Sequence, residues 1–173
     1  MEGRHTAIID TSTLINFLAV DRLDLLTEYA DYRFIVTEHA RAEVKKHYGG
    51  QLERLTAAIE RGDLDESTVT DLSELAMFAR LMSEKCLGQG ECASIAAAHL
   101  RGMVLAMDDK RATKSAKRLN PDLIVITTVD IVCAAICAGR LSVADADAIK
   151  QVWEDQHRFR VKFASSGDLV ETE

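Results

Sequence analysis

The chain of 173 residues contains a single proline, and only 5% of it is aromatic. With so little proline and no stretch rich in glycine and serine, it offers no interdomain linker, and neither repeats nor low-complexity segments divide it. One domain over 1–173 is expected, with its core at about 6–140 and a C-terminal helix and tail at 141–173. No apolar run approaches the roughly 20 residues that span a bilayer. The first strand-like run follows Met1 within a few residues, without a basic region and apolar signal core. These absences predict no membrane association and a cytoplasmic location. The shortage of aromatics argues against broad stacking recognition of single strands.

Missing motifs narrow the chemistry further. The four cysteines, Cys86, Cys92, Cys133 and Cys137, lack C-x-x-C and the other usual zinc spacings. Cys133 and Cys137, four apart on an apolar helix, read as reduced, buried thiols. The five histidines form neither H-x-x-x-H nor H-E-x-x-H, so a zinc site is not expected, and His39 and His99 read as core-edge or surface residues. No G-x-G-x-x-G follows the first strand, which removes dinucleotide binding. Ser12 stands where a haloacid dehalogenase-like phosphatase needs its second aspartate. A phosphoacceptor receiver domain wants an acidic pair at the first strand end, and here the pair Asp108-Asp109 comes late. The net charge of −7 works against binding a phosphate backbone. A cation-filled acidic pocket beside a basic patch can nevertheless take a polyanion.

What is present is an alternation of strands and helices. Strands are predicted at 6–10, 33–37, 103–107 and 123–127, with a short edge strand at 67–72. Helices are predicted around Leu14, Ile15 and Leu18, then around Leu23, Leu25, Leu26 and Tyr29, and at 38–47, 51–61, 74–85, 91–100, 109–118, 129–138 and 143–157. Gly62-Asp63, Asn120-Pro121 and Gly139 break the pattern. The segment from Phe159 reads as an edge strand or a tail. Strictly apolar strands between helices specify an α/β fold, a three-layer α/β/α sandwich around a parallel sheet covered on both faces. The apolar residues from Leu14 to Tyr29 suit either the core or a dimer surface.

Acidic residues punctuate this pattern. Asp10 closes one apolar run and Asp108-Asp109 another, Glu91 opens a helix after Gly88-Gln89-Gly90, and Glu43 lies on the helix after Phe34-Ile35-Val36. In a parallel α/β sheet, strand ends and the adjoining helix starts face one crevice. Carboxylates gathered there repel one another unless a cation neutralises them. Oxygen-only ligands select hard ions such as Mg²⁺ or Mn²⁺, which suit phosphate chemistry, with either one ion or two about 3.5–4 Å apart. Taken singly, Asp10, Glu91 and Asp109 are also good helix caps, and Asp130 is better read as a cap than as a further acid.

The segments that carry these acids resemble the PIN-domain nucleases. Ile8-Ile9-Asp10-Thr11-Ser12-Thr13-Leu14-Ile15 is similar to the family's first motif, and Phe34-Ile35-Val36-Thr37 with Ala42-Glu43-Val44 to the second strand and its acid-bearing helix. Gly88-Gln89-Gly90-Glu91-Cys92-Ala93 resembles the segment with the third acid, and Leu105-Ala106-Met107-Asp108-Asp109-Lys110-Arg111 the strand and turn with the fourth. The resemblance implies a parallel sheet of about five strands and a Mg²⁺- or Mn²⁺-dependent ribonuclease acting on RNA. Asp10, Glu43, Glu91 and Asp109 or Asp108 would bind the metal, and Ser12 would hydrogen-bond to Asp10 or a metal-bound water. Asp109 is favoured over Asp108 because Ala112 and Ala116 then face the sheet. Many relatives are toxins of VapC-type pairs, which implies a homodimer and an antitoxin partner. Two features depart from the pattern. Met107 replaces a common threonine, and the chain is longer than a minimal VapC-type toxin at 51–84 and 147–173. The alternative is an inactive PIN fold that binds RNA or protein.

Lys110, Arg111 and Lys114 follow the acidic turn and would grip phosphates beside the scissile bond or simply form a solvated helix face, as would Lys117 and Arg118. Arg41, Lys45 and Lys46 near Glu43 carry the same two readings. Asn16 reads as near the site or on the surface, and Trp153 as a packing residue.

Overall fold

In a computed structural model of the chain, the residues described are 5–29, 31–47, 49–84, 86–157, 159–162 and 165–170. Five strands, β1 (His5–Ile9), β2 (Tyr32–Thr37), β3 (Asp65–Ser67), β4 (Val104–Ala106) and β5 (Val125–Ile126), form one sheet in the order β3-β2-β1-β4-β5. All four pairings are parallel, as the alternation of strands and helices requires. The order runs outward from β1 in both directions, so the chain reverses direction across the sheet between β1 and β4. A crevice opens at such a point, beyond the carboxyl ends of the two strands.

The apolar strands serve both faces. Along β1, Ala7 and Ile9 join one core while Ile8 joins the other, and β4 divides Val104 and Ala106 from Leu105 in the same way. The first core packs against α1 (Thr11–Ala19), α2 (Asp24–Thr27), α3 (Glu38–His47), α4 (Gly49–Glu60), α8 (Thr128–Cys137) and α9 (Val143–Gln156). The second takes α5 (Leu72–Ser83), α6 (Gln89–Arg101) and α7 (Lys110–Leu119). The three-layer arrangement is therefore as expected. Leu14, Phe17, Leu18, Leu25 and Leu26 are fully buried in the first core, which removes them as a dimer surface.

Several local expectations are corrected. The edge strand is β3 at Asp65–Ser67, paired with Ile35–Thr37, not 67–72. Asp71 instead caps α5, accepting hydrogen bonds from the backbone N–H groups of Ser73 and Glu74, so Leu72 opens a helix although it is apolar. Past Phe159 no strand forms among the described residues, and a short helix, α10 (Gly167–Val170), is docked by Asp147, which accepts from Ser165 and Ser166. Cys137 is exposed and Cys133 half-buried, because α8 turns that face outward; the two are not the buried thiols expected. Gly102 ends α6 at φ 64°, a left-handed conformation that glycine adopts at little cost. Trp153 does pack: its ring meets Phe17 edge-on at 6.2 Å, and its Nε1 donates to the Asn16 carbonyl at 2.7 Å.

Phe34 lies at the centre of the first core, 1% exposed and edge-on to Tyr29. Phe34→Ala should cost about 3–5 kcal/mol of unfolding free energy by urea titration, the range for deleting a buried aromatic. A loss below about 1 kcal/mol would mean that this core is not packed as described.

Candidate active site

The sheet gathers the acids at its C-terminal edge. Asp10 follows β1 directly, and its backbone N–H donates to Ala106 O of β4, which places it at the parting of the sheet. It is also the N-cap of α1, accepting from Ser12 N at 3.2 Å and Ser12 Oγ at 2.7 Å through Oδ2. Its other oxygen, Oδ1, is buried with no hydrogen-bond partner among the described residues, and the neighbouring Thr11 Oγ1 is in the same condition. A buried anionic oxygen left in this state is costly.

Glu91 and Glu43 approach from the α6 side. Gly88 caps α6, and Glu91 in its first turn reaches back to accept from Gly88 N at 2.8 Å. Glu43, on α3, accepts from Gly90 N at 2.8 Å. Gly90 permits this approach because a Cβ there would stand 2.5 Å from Glu43 Oε2 and collide with Thr11 Oγ1 as well. Asp10, Ser12, Ile15, Glu43, Gly88 and Glu91 line one open pocket of about 440 Å³.

Asp108 and Asp109 have divergent roles. Asp108 is half-buried and tied to the scaffold: it accepts from Thr13 Oγ1 at 2.9 Å, Asn16 Nδ2 at 3.2 Å, Thr128 N at 2.9 Å and also Thr128 Oγ1. It thereby joins the end of β4 to α1 and α8. Asp109 is exposed and caps α7 by accepting from Ala112 N at 2.8 Å. Both aspartates line a neighbouring cavity, not the pocket of Asp10, Glu43 and Glu91, and the charge of Asp109 adds to the rise of the Glu91 pKa.

The charges interact as their positions demand. Burial pushes the Asp10 carboxyl up to about 6; the Ser12 hydrogen bonds oppose this and the Glu91 charge adds to it. Burial also raises Glu91, against the Gly88 N–H, with Asp109 and Glu43 adding to the rise and Arg111 opposing it. Among the described residues, no three carboxylate, imidazole or thiolate groups stand close enough to enclose one ion by themselves. Each acid leans instead on a backbone N–H of Ser12, Gly90, Gly88 or Ala112. The donor set still fits a hard cation, since Mg²⁺ keeps most of its waters and takes only one or two carboxylates, and Asp10 Oδ1 has no other partner among the described residues.

The remaining candidates divide as follows. Lys110, Arg111 and Lys114 are all exposed on α7, and Arg111 is close enough for its charge to act on Glu91. Lys117 donates to Pro121 O, Arg118 contacts Glu84 and Ser115, and Arg41 pairs with Glu66 at 2.6 Å, so these three serve the scaffold. The side chains of Lys45 and Lys46 lie outside the described residues. Asp130 is a cap, accepting from Thr127 N at 2.7 Å. Sequence reasoning missed Thr13, Thr128 and Gly90, and left Asn16 undecided. The three-residue spacing of Thr13 and Asn16 on α1, which puts two donors on one helix face, was the available signal.

Asp10 also predicts how stability depends on pH. Its folded value of about 6 exceeds the ordinary 3.8, so the native chain takes up a proton that the unfolded chain does not. Stability from this group is therefore gained as pH falls from about 6 towards 4 and lost as pH rises through that window. In EDTA, the wild type should lose about 2–3 kcal/mol between the two ends relative to Asp10→Asn, which keeps the cap acceptor but carries no charge. At pH 7.5 the asparagine variant should melt higher. A lower melt would make the Asp10 carboxylate a net stabiliser and contradict this account.

No curated protein matches the chain. Among solved structures, a PilT N-terminus domain protein from the hyperthermophilic archaeon Sulfolobus solfataricus P2 is 18% identical, with a TM-score of 0.49 over 79% of this chain and 94% of its own. VapBC2 from Rickettsia felis, bound to a DNA fragment from its promoter, is 13% identical, with a TM-score of 0.48 over 70% of this chain and 98% of its own. FitAcB from Neisseria gonorrhoeae is 17% identical, with a TM-score of 0.43 over 70% and 97%. The model of the family DUF3368, a PIN domain, matches residues 6–165, which takes in every acid of the crevice and the C-terminal helix α9. The chain belongs to the PIN-domain family.

Proposed function

We propose that the protein is a metal-dependent nuclease that hydrolyses phosphodiester bonds in RNA at the crevice beyond β1 and β4. The observation that carries this reading is Asp10: a fully buried carboxylate, one oxygen of which has no partner among the described residues, in an open pocket that Glu91 and Glu43 also line. A fold selected for stability alone has no use for this arrangement, whereas a cation resolves it.

Asp10, Glu43, Glu91 and Asp109 would hold Mg²⁺ or Mn²⁺. When bound, such an ion supplies Lewis-acid polarisation of the phosphodiester and a water of lowered pKa. The chain's own residues do the rest. Ser12 Oγ fixes one Asp10 oxygen and leaves Oδ1 without a hydrogen-bond partner among the described residues. Gly90 N and Gly88 N hold Glu43 and Glu91 in place before any ligand arrives, so little reorganisation is needed at the moment of reaction. Asp108 sets the turn from which Asp109 projects. Arg111, with Lys110 and Lys114 on the same exposed helix, would meet the phosphates flanking the scissile bond.

Assembly belongs to the same proposal. On the resemblance to VapC-type toxins, a homodimer and an inhibitory antitoxin partner are the expected associations. Growth arrest on induction, relieved by a co-expressed neighbouring gene product, is the corresponding test.

The reading is tested by incubating labelled single-stranded RNA with the protein in Mn²⁺ or Mg²⁺. Cleavage should appear and be lost in EDTA and in Asp10→Asn. Absence of cleavage together with no Mn²⁺-induced rise in melting temperature would favour an inactive PIN module. Gly90→Ala offers a second check. Its methyl group would displace Glu43, so cleavage should fall at least about tenfold, matching the loss of roughly 1.4 kcal/mol or more of transition-state stabilisation.

A further inference from the structure

A second cavity, of about 390 Å³, adjoins the acidic pocket. Ser12 and Ile15 line both, so the two cavities are neighbours separated by these side chains. The second cavity is completed by Asn16, Asp108 and Asp109 on one side and by His157 and Phe159 on the other. These last two come from the end of α9 and the residues after it, more than 45 positions beyond the acidic turn.

Phe159 is held firmly. Its backbone N–H donates to Trp153 O, and its ring meets the Trp153 ring edge-on at 5.5 Å and 87°. Trp153 is itself fixed against Phe17 and bonded to the Asn16 carbonyl. Phe159 remains half-buried, so part of its ring faces the cavity it lines. An aromatic ring held edge-on against a fixed aromatic cluster offers a surface on which a single nucleobase can stack, and stacking is tolerant of base identity. The opposite wall carries acceptors. The Asp109 carboxylate, which accepts from Ala112 N alone, would receive a hydrogen bond from a base amine or a ribose 2′-hydroxyl, and the charge of the two aspartates excludes a phosphate from that side. The cavity is of nucleoside size, within the range of about 300–1,000 Å³ typical of ligand sites.

We propose that this cavity is the subsite for the nucleotide next to the scissile phosphate of single-stranded RNA, with its base against Phe159 and His157 facing its sugar-phosphate. The proposal rests on the nuclease reading above and adds a residue that determines substrate binding from outside the acid-bearing core. It requires one stacked base, not the broad aromatic platform that the composition excludes.

The test is steady-state cleavage of labelled single-stranded RNA in Mn²⁺ by the full chain and by Phe159→Ala, Phe159→Leu and Phe159→Tyr, with anisotropy of the same RNA in EDTA as a binding measurement. Phe159→Ala should raise KM about tenfold while kcat changes by less than about twofold, since one lost stack weakens ground-state and transition-state binding alike. Tyr should restore KM. Leu fills the volume without a ring, so it decides the matter if the alanine variant unfolds: its KM should rise as for alanine. Binding should weaken in parallel, and RNA should alter the emission of Trp153, the single tryptophan of the chain. A leucine variant that melts like the wild type and keeps its KM overturns the subsite and leaves the nuclease standing. A wild type that neither binds nor cuts RNA overturns both.

Discussion

A carboxylate buried at the end of the central strand, with one oxygen answered by Ser12 and the other by no group among the described residues, sets the terms for the rest of the crevice. The residue that follows β1 cannot be moved to solvent without disturbing the register of β1 with β2 and β4 together. Asp10 is therefore held in low dielectric by the same pairings that make the core. The acids around it inherit the constraint. Glu91 and Glu43 add their own charge to the crevice, and each is steadied by a backbone N–H at the start of α6. Helix N-termini oppose that accumulation of charge at a modest 0.3–1 kcal/mol or so apiece. The architecture tolerates the acidic cluster without neutralising it.

The adjacent aspartates divide two tasks that a single residue could not perform. Asp108 spends its lone pairs on Thr13, Asn16 and Thr128, and so binds three elements into one unit. A carboxylate so fully engaged has little capacity left for a cation. Asp109, one position on, points outward and keeps its charge available. Asp109 is favoured as the acid of the site because Ala112 and Ala116 then pack against the sheet, and both are indeed fully buried.

The strands and most helices were legible because burial on both sheet faces leaves an unbroken apolar run, which few other structures produce. The misread edge strand shows where that signal fails. Val69 and Leu72 look like strand residues, but Asp71 with Ser73 and Glu74 after it is a cap, and the cap prevails over hydrophobicity. Glu74 then leaves the surface to pair with Arg101, 27 residues away at 2.8 Å. No local pattern announces such a partner. At the site, the acids themselves could be named from their positions after strands and before helices. Their mutual geometry could not, because it depends on Gly90 having no side chain and on which of two neighbouring aspartates the α1 hydroxyls and amide select. Phe159 and His157 were invisible for a related reason: no motif surrounds them in sequence, and only the fold brings them to the cavity that Ser12 lines.

The hydrogen bond from Trp153 to Asn16 spans 137 positions, which bears on the order of events during synthesis. A chain emerges from the ribosome N-terminus first, at about 5–20 residues per second. All the acids and the whole sheet are available to fold well before α9 has been made. The residues of α9 and after it are thus the last part of the crevice to be installed, and Asn16 waits for its anchor until Trp153 has emerged. A nascent molecule would carry its charged centre, yet lack one side of the cavity beside it.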